Sequence, residues 1–356
     1  MKERVEKLQK RMKQDGVGSL LLTRDTEVRY LSGEKFEAGS TVILVEPDAQ
    51  FIITDGRFEN ELKNGKSGMQ PVIYDPRRGL FGEAGELLKK RNRSRVSVAY
   101  SSVSHADYCT LTGCGVAVDD SKPYLDNMRM VKDAQELALI RKACSISDAS
   151  FEAILGKIRP GVTEREVANL LESEFRRRGG DGLAFETIVA SGPVNGANCH
   201  SVVSDRKLEN GDSVTIDFGT TYEGYCSDIT RTVFLGKAPE ELRKVYGIVK
   251  EAKKKAAGLL REGVMLKEIA AAGVGHIEEN GYRVPHGIGH SFGYEAHEPL
   301  FISIRDDRRL GENMVTTLEP GVYLPGVGGI RLEDDYFITA SGAEQLTHCT
   351  DDLLEL

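Results

Sequence analysis

The sequence predicts a mixed α/β (α+β) protein of two domains, a small α/β domain over residues 1–125 and a larger, internally duplicated domain over residues 126–356. Three observations predict it. The chain has 356 residues, and a domain commonly holds roughly 100 to 200. Up to about residue 125, short apolar runs alternate with amphipathic stretches. Beyond it, a pair of long amphipathic segments followed by a β-rich block occurs twice.

In the first domain Ser19–Thr23, Thr41–Glu46, Phe51–Thr54 and Val96–Tyr100 read as strands, being short and rich in Val, Ile and Leu. Val5–Lys13 and Phe81–Lys90 read as helices, because apolar residues recur there at three- and four-residue steps. Asp119–Asn127 holds Pro123 and few apolar residues, so it is expected to link the domains. Val131–Lys157 and Thr163–Arg178 then read as long helices, the second opened by the capping sequence Thr163-Glu164-Arg165-Glu166. A β-rich block follows from Phe185 to Leu235. The order recurs with helices at Pro239–Leu260 and Leu266–Asn280 and strands at Met314–Tyr323 and Ile330–Thr339.

Composition narrows the function. With 40% hydrophobic and 29% charged residues the chain is that of an ordinary globular protein. No run approaches the roughly 20 apolar residues that span a bilayer, so no membrane partner is expected. The N-terminal MKERVEKLQKRMKQDG is charged throughout and lacks the apolar core of an export signal, which places the protein in the cytoplasm. The six cysteines show no CxxC spacing and read as buried thiols. A net charge of -8 offers no basic field to a phosphate backbone, so nucleic acid is not an expected partner.

The chemistry lies in two hairpins. In Ser213–Gly219, alternation sets Val214, Ile216 and Phe218 on one face and Asp217 on the other. The chain turns at Tyr222–Gly224 and returns with Asp228 on the face of Thr230 and Thr232. The second hairpin repeats the arrangement with Glu319 and Glu333, and places Arg331, Glu333 and Asp335 on one face. Four carboxylates converging without a cation would repel and raise one another's pKa. Two divalent ions would balance them, and His290, in the Gly-rich run PHGIGHSFG, is the candidate to complete the set. Solvated strand acids and a loop histidine are the alternative reading of these five residues.

The stretches TIDFGTTYEGYCSDITRT, HGIGHSFGYEAHEP, TTLEPGVYLPGVGGIRLEDD, MRMVKDAQELALIRKA and FETIVASG spread over nearly all of residues 128–340. They resemble the pita-bread metallopeptidases, which include methionine aminopeptidase, aminopeptidase P and prolidase, with creatinase as a metal-free relative. The resemblance implies a creatinase-like N-terminal domain ahead of a duplicated pita-bread catalytic domain. Because methionine aminopeptidases usually lack the N-terminal domain, it also implies the proline-specific branch. The expected activity is that of an Xaa-Pro dipeptidase (prolidase), with aminopeptidase P, acting on longer proline-containing peptides, as the alternative.

Carried over residue by residue, the resemblance makes Asp217, Asp228, His290, Glu319 and Glu333 the ligands of two divalent ions. Asp228 and Glu333 would bridge both, Asp217 would hold one, and His290 with Glu319 the other. Mn(II) suits this carboxylate-rich set, with Co(II) or Zn(II) as the other family metals. Glu319 would carry the proton, and His200 and His297 would contact substrate and the developing oxyanion. His286 matches a wall of the proline pocket, Arg331 an arginine beside the last glutamate, and Arg305 an arginine that grips the free proline carboxylate. His200 is flanked by Cys199 and Ser201 where relatives more often have Pro and Gly, and Ala296 replaces the commoner Val or Ile before His297. The family also suggests a homodimer.

Three rival readings remain. Residues 289–293 read Gly-His-Ser-Phe-Gly, the pattern of a serine-hydrolase elbow, but Pro299 follows before any helix. His297-Glu298 begins an HExxH pattern that Phe301 does not complete. A non-catalytic creatinase-fold module that binds peptides is the rival from another class.

Overall fold

Runs of branched aliphatic residues build the first sheet. In the computed structural model, which describes every residue except Lys66, Met1–Met128 form one compact unit and Arg129–Leu356 another. The first unit runs α1 (Lys2–Gln14), β1 (Leu20–Leu22), α2 (Asp25–Ser32), β2 (Val42–Glu46), β3 (Ala49–Thr54), α3 (Glu59–Asn64), β4 (Gln70–Ile73), α4 (Gly79–Lys90), β5 (Arg95–Val98), α5 (His105–Gly113), β6 (Ala117–Asp120) and α6 (Tyr124–Arg129). Its strands form a six-stranded sheet in the order β4-β3-β2-β1-β5-β6. The pairs β1–β2 and β2–β3 are antiparallel and the remaining pairs parallel. Leu44, Ile53, Leu88, Val96 and Leu111 are fully buried in its core.

The segment expected to link the domains, Asp119–Asn127, holds the end of β6, residues 121–123 outside any element and most of the helix α6, and the two units divide just beyond it at Met128. Tyr124, Leu125 and Met128 are buried, the Tyr124 hydroxyl donates to Asp15 at 2.8 Å, and Arg24 bonds Asp126. Sparse aliphatic content hid a helix anchored by its tyrosine and by polar bonds to its own unit.

The second unit opens with α7 (Ala134–Ile154) and α8 (Glu164–Arg177). Each starts in a capping box, Asp133 with Glu136 and Thr163 with Glu166, which satisfies the first free N–H groups. Then come β7 (Gly182–Leu183), β8 (Ile188–Ser191), the short α9 (Gly192–Asn195), β9 (Ser213–Phe218), β10 (Thr220–Tyr222), β11 (Tyr225–Cys226) and β12 (Ile229–Phe234). The same order returns in α10 (Glu240–Ala257), α11 (Leu266–Glu279), β13 (His290–Ser291), β14 (Glu298–Phe301), β15 (Val315–Leu318), β16 (Gly321–Leu324), β17 (Gly328–Arg331), β18 (Asp334–Ile338) and β19 (Ala343–Gln345). Thus a helix pair precedes a long hairpin twice.

Neither second-half strand is continuous as the sequence suggested. Met314–Tyr323 breaks at Glu319-Pro320, and Ile330–Thr339 breaks at Leu332-Glu333. The first hairpin breaks likewise at Gly219 and at Ser227-Asp228. Proline cannot donate to a ladder, and a Cβ on Gly219 would lie 2.0 Å from the Ser227 carbonyl oxygen, so only glycine fits that crossing. Below the breaks β9 pairs with β12 and β15 with β18; beyond them β10 pairs with β11 and β16 with β17.

Among the described residues no helix is long and apolar enough to cross a membrane. All six cysteines are free; Cys144, Cys226 and Cys349 are buried, Cys114 and Cys199 half-buried, and Cys109 exposed, against the expectation of buried thiols throughout.

Candidate metal centre

The four breaks put the acidic residues in matching places. Asp228 immediately precedes β12 and Glu333 immediately precedes β18, while Asp217 lies in the last turn of pleat of β9 and Glu319 directly follows β15. Residues at a break leave the strand alternation, which lets their carboxyl groups turn toward one another. His290 joins them from β13, with its backbone N–H donating to Thr317 on β15 at 3.2 Å. Gly289 permits that approach, since a Cβ there would meet the Thr317 carbonyl oxygen at 2.2 Å.

Ligand atoms of Asp228, His290 and Glu333 all lie within 4.8 Å of one another, and all three residues are buried. His290 Nε2 is 3.6 Å from Asp228 Oδ2 and 3.4 Å from Glu319 Oε1. Arg331 Nη2 donates to Asp217 Oδ2 at 2.6 Å. Thr230, opposite Asp217 in the β9–β12 register, donates to Glu333 Oε2 at 2.7 Å. Asp217, Asp228, His290, Glu319, Glu333, His200, His297, His286 and Arg331 all line one cavity of about 620 Å³.

Burial and mutual repulsion dominate the electrostatics. Burial first, then the Glu333 and Asp217 carboxylates, push Asp228 well above the usual carboxylate range. Burial and Glu333 do the same to Glu319. Glu333 is pushed up to about 8, by burial and then by Asp217. Burial, helped by neighbouring His297, lowers His290 to about 3 and keeps its imidazole neutral, the form that ligates metals. Asp217 Oδ1 and Glu333 Oε1 are buried with no hydrogen-bond partner. Buried carboxylate oxygens left without donors are costly, and a hard divalent cation is the group this donor set fits. Asp217, Asp228, Glu319, Glu333 and His290 are the residues able to hold it.

The other expected residues divide. The His297 ring lies against that of His290, tilted by 32°, with centroids 4.0 Å apart. His286 bonds the Tyr323 hydroxyl through Nε2 at 3.0 Å. His200 reaches the same cavity from the irregular segment after α9. Arg305 is not in that lining; it is exposed and lines an adjoining cavity of about 290 Å³ that shares His286 and Gly287 with the first.

Ser291 overturns the serine-elbow pattern. It lies in the two-residue strand β13, 1% exposed, with its Oγ unpartnered rather than presented at a strand-to-helix turn. Glu298 is held between Arg129 and Lys132, each at 2.7 Å, and is no zinc-site glutamate.

Three residues at the site carried no role in the sequence reading. Tyr323 takes a hydrogen bond from Arg331 Nη1 at 2.9 Å and meets His286, joining two candidate substrate-binding groups. Thr230 holds Glu333 and accepts from Arg331 Nε at 3.1 Å. Asp335 accepts the Asp228 backbone N–H at 3.0 Å and the Cys144 thiol at 3.3 Å. Thr230 and Asp335 were already placed on the acidic faces by strand alternation, the one signal that could have found them.

The chain is similar to known proteins over nearly its whole length. The chain is 35% identical over 358 residues to the Xaa-Pro dipeptidase of Pyrococcus furiosus, covering 99% of this chain and 100% of that protein. Among solved structures it is similar to an Xaa-Pro dipeptidase from Bacillus anthracis, with a TM-score of 0.95 at 33% identity and 99% coverage of each chain. It is also similar to an X-Pro aminopeptidase from Thermotoga maritima, with a TM-score of 0.87 at 33% identity, covering 96% of this chain and 98% of that one. Residues 4–131 match the Creatinase/Prolidase N-terminal domain. With residues 138–340 matching the family itself, the chain belongs to Metallopeptidase family M24.

Proposed function

We propose that this protein is an Xaa-Pro dipeptidase that cleaves the peptide bond before proline, using two divalent ions held by Asp217, Asp228, His290, Glu319 and Glu333. The observation that carries the proposal is the convergence of four carboxylates and a neutral imidazole, with two carboxylate oxygens orphaned, in one cavity. Full-length relatives named Xaa-Pro dipeptidase support the substrate class.

When bound, a pair of divalent ions makes water a stronger acid and polarises the scissile carbonyl. Glu319, on the cavity wall, takes the proton from the attacking water and delivers it to the prolyl nitrogen. His297 and His200, on the cavity wall, donate to the substrate carbonyl oxygen as charge develops on it. Arg331 keeps Asp217 aimed into the cavity. His286, which lines the cavity and is held by the Tyr323 hydroxyl, packs against the proline ring, and Arg305 receives the free carboxylate from the adjoining cavity.

Mn(II) is the proposed ion in the cell, because carboxylate-rich ligation with one imidazole suits a harder ion, although affinity order alone would favour Co(II) or Zn(II). A cytoplasmic homodimer without nucleic-acid partners completes the proposal, supported by the family resemblance and the net charge of -8. EDTA should abolish hydrolysis of an Xaa-Pro dipeptide and Mn(II) restore it, while a serine-directed reagent changes nothing. Faster cleavage of Xaa-Pro-Yaa than of Xaa-Pro would replace dipeptidase with aminopeptidase.

A further inference from the structure

We propose that Glu164, outside the cavity lining and 36 positions before His200, is a positioning residue for that histidine. Glu164 is the first residue of α8 and fully buried. A buried carboxylate is commonly explained as a helix cap, but here the capping box is made by Thr163 and Glu166. The Glu164 carboxylate points elsewhere. Oε1 accepts the backbone N–H and the hydroxyl of Ser191 at 2.9 and 2.6 Å. Oε2 accepts Asn195 Nδ2 at 2.9 Å and the backbone N–H and hydroxyl of Ser204 at 3.1 and 2.5 Å.

These donors bracket the segment that carries His200. Between β8 and β9 the only regular element is α9, and residues 196–212 contain neither helix nor strand. The C-terminal part of this segment is tied by backbone bonds from Glu164 N–H to the Arg206 carbonyl and from Arg165 N–H to the Ser204 carbonyl, both 3.1 Å, and by a Thr163–Lys207 bridge. Residues 199–203 around His200 have no such backbone pairing and depend on side-chain bonds. Glu164 fixes both of its flanks with one carboxylate. The residues on either side of His200 are then tied individually. Ser201 Oγ donates to the Asn195 carbonyl at 2.7 Å, and Asn195 is itself held by Glu164. The Cys199 carbonyl accepts from Arg331 Nη1 at 2.9 Å. His200 is therefore aimed between a clamp that begins at Glu164 and one that begins at the metal-site arginine. Loss of the first frees the segment without touching an ion ligand.

The role of His200 toward substrate rests on the function proposed above, and the experiment separates the two claims. Glu164→Ala, Glu164→Gln, His200→Ala and the double variant Glu164→Ala/His200→Ala would be compared in the full-length protein. The readouts are Mn(II) titration calorimetry, hydrogen–deuterium exchange and steady-state hydrolysis of an Xaa-Pro dipeptide. Glu164→Ala should raise exchange across residues 192–206 while Mn(II) affinity stays within twofold of the parent. Its kcat/KM should fall about tenfold or more, through whichever of kcat or KM His200→Ala alters. Adding Glu164→Ala to His200→Ala should cost less than a further twofold. Glu164→Gln, which keeps an acceptor oxygen, should be milder and serves if the alanine variant does not fold. Unchanged exchange in both Glu164 variants, multiplying losses in the double variant, or Mn(II) affinity falling in step with activity would overturn the assignment. A parent protein inactive on Xaa-Pro dipeptides would instead sink the proposed function, with the exchange result still deciding whether Glu164 holds the segment.

Discussion

Arg331 Nη2 lies 2.6 Å from Asp217 Oδ2, and the arginine side chain is 3% exposed. The same side chain reaches Thr230, Tyr323 and the Cys199 carbonyl, so one planar fork orients several walls of the cavity. Arg331→Lys should therefore fail as a conservative change, because a point-charge ammonium cannot span those acceptors. We expect a loss of about 100-fold in kcat/KM, the scale found when partners behind metal ligands are removed. Parent-like activity in Arg331→Lys would show that the fork is dispensable.

How the acids meet was only half legible in the sequence. Alternation placed Asp217 opposite the apolar face, and the structure pairs it with Thr230 across β9–β12. For Glu319 and Glu333, strand periodicity could not show how the carboxyl groups turn. Each sits at a break, and Glu319 is followed by Pro320, the residue that marked the interruption. His290 could be named because it is embedded in glycines, yet the need for Gly289 appears only when β13 lies against Thr317. Tyr323 shares a hairpin face with Arg331, but its bond to His286, 37 positions away, could not be read from the strand pattern. Long-range hydrogen bonding leaves no periodic trace.

Proton and metal should compete for the acidic cluster. Burial and neighbouring carboxylates raise Asp228, Glu319 and Glu333, the last to about 8. A carboxyl group raised on folding stabilises the metal-free fold fully below its unfolded value, and that contribution disappears as pH rises through the folded value. In EDTA, the cluster therefore destabilises the protein progressively from about pH 4.5 to 8. Bound cations displace those protons, so the rise in Tm on adding Mn(II) should grow from pH 5 to pH 8.5. Melting curves in EDTA and in Mn(II), shifted by the same amount at every pH, would contradict this.

Thr230 should matter for metal affinity although it binds no ion. Its hydroxyl donates to Glu333 Oε2 at 2.7 Å and accepts from Arg331 Nε at 3.1 Å. Thr230→Val keeps the shape and removes both bonds, leaving Glu333 free to rotate. A loss of about 10- to 100-fold in Mn(II) affinity or activity follows from comparable changes elsewhere. Calorimetry on the variant checks it, and affinity within twofold of the parent would dismiss the role.

Glu298 tests stability separately from chemistry. It is buried between Arg129 and Lys132; burial opposes its ionisation, but the two cations outweigh it and hold its pKa below the ordinary glutamate value. That contribution is present above the unfolded pKa and is lost as pH falls through the lower folded one. Glu298→Ala would remove the buried carboxylate that Lys132 and Arg129 share, Arg129 keeping Glu295 at 2.7 Å, and breaking a buried pair in this way costs up to about 3 to 5 kcal/mol. Urea unfolding at pH 7 in EDTA measures it without interference from bound ions. A loss below about 1 kcal/mol would mean that water replaces the carboxylate readily.

Arg305 separates recognition of a dipeptide from recognition of a longer chain. It is exposed and reaches the adjoining cavity whose wall includes His286. If it grips the free proline carboxylate, Arg305→Ala should raise KM for an Xaa-Pro dipeptide about tenfold, as expected for one charge-assisted hydrogen bond. The corresponding Xaa-Pro amide, which lacks that negative charge, should be affected less than threefold. Equal effects on acid and amide would detach Arg305 from the carboxylate, and no effect on either would leave it a surface charge. Because Arg305 touches none of the five candidate ligands, Mn(II) titrations of the variant should match the parent under every one of these outcomes.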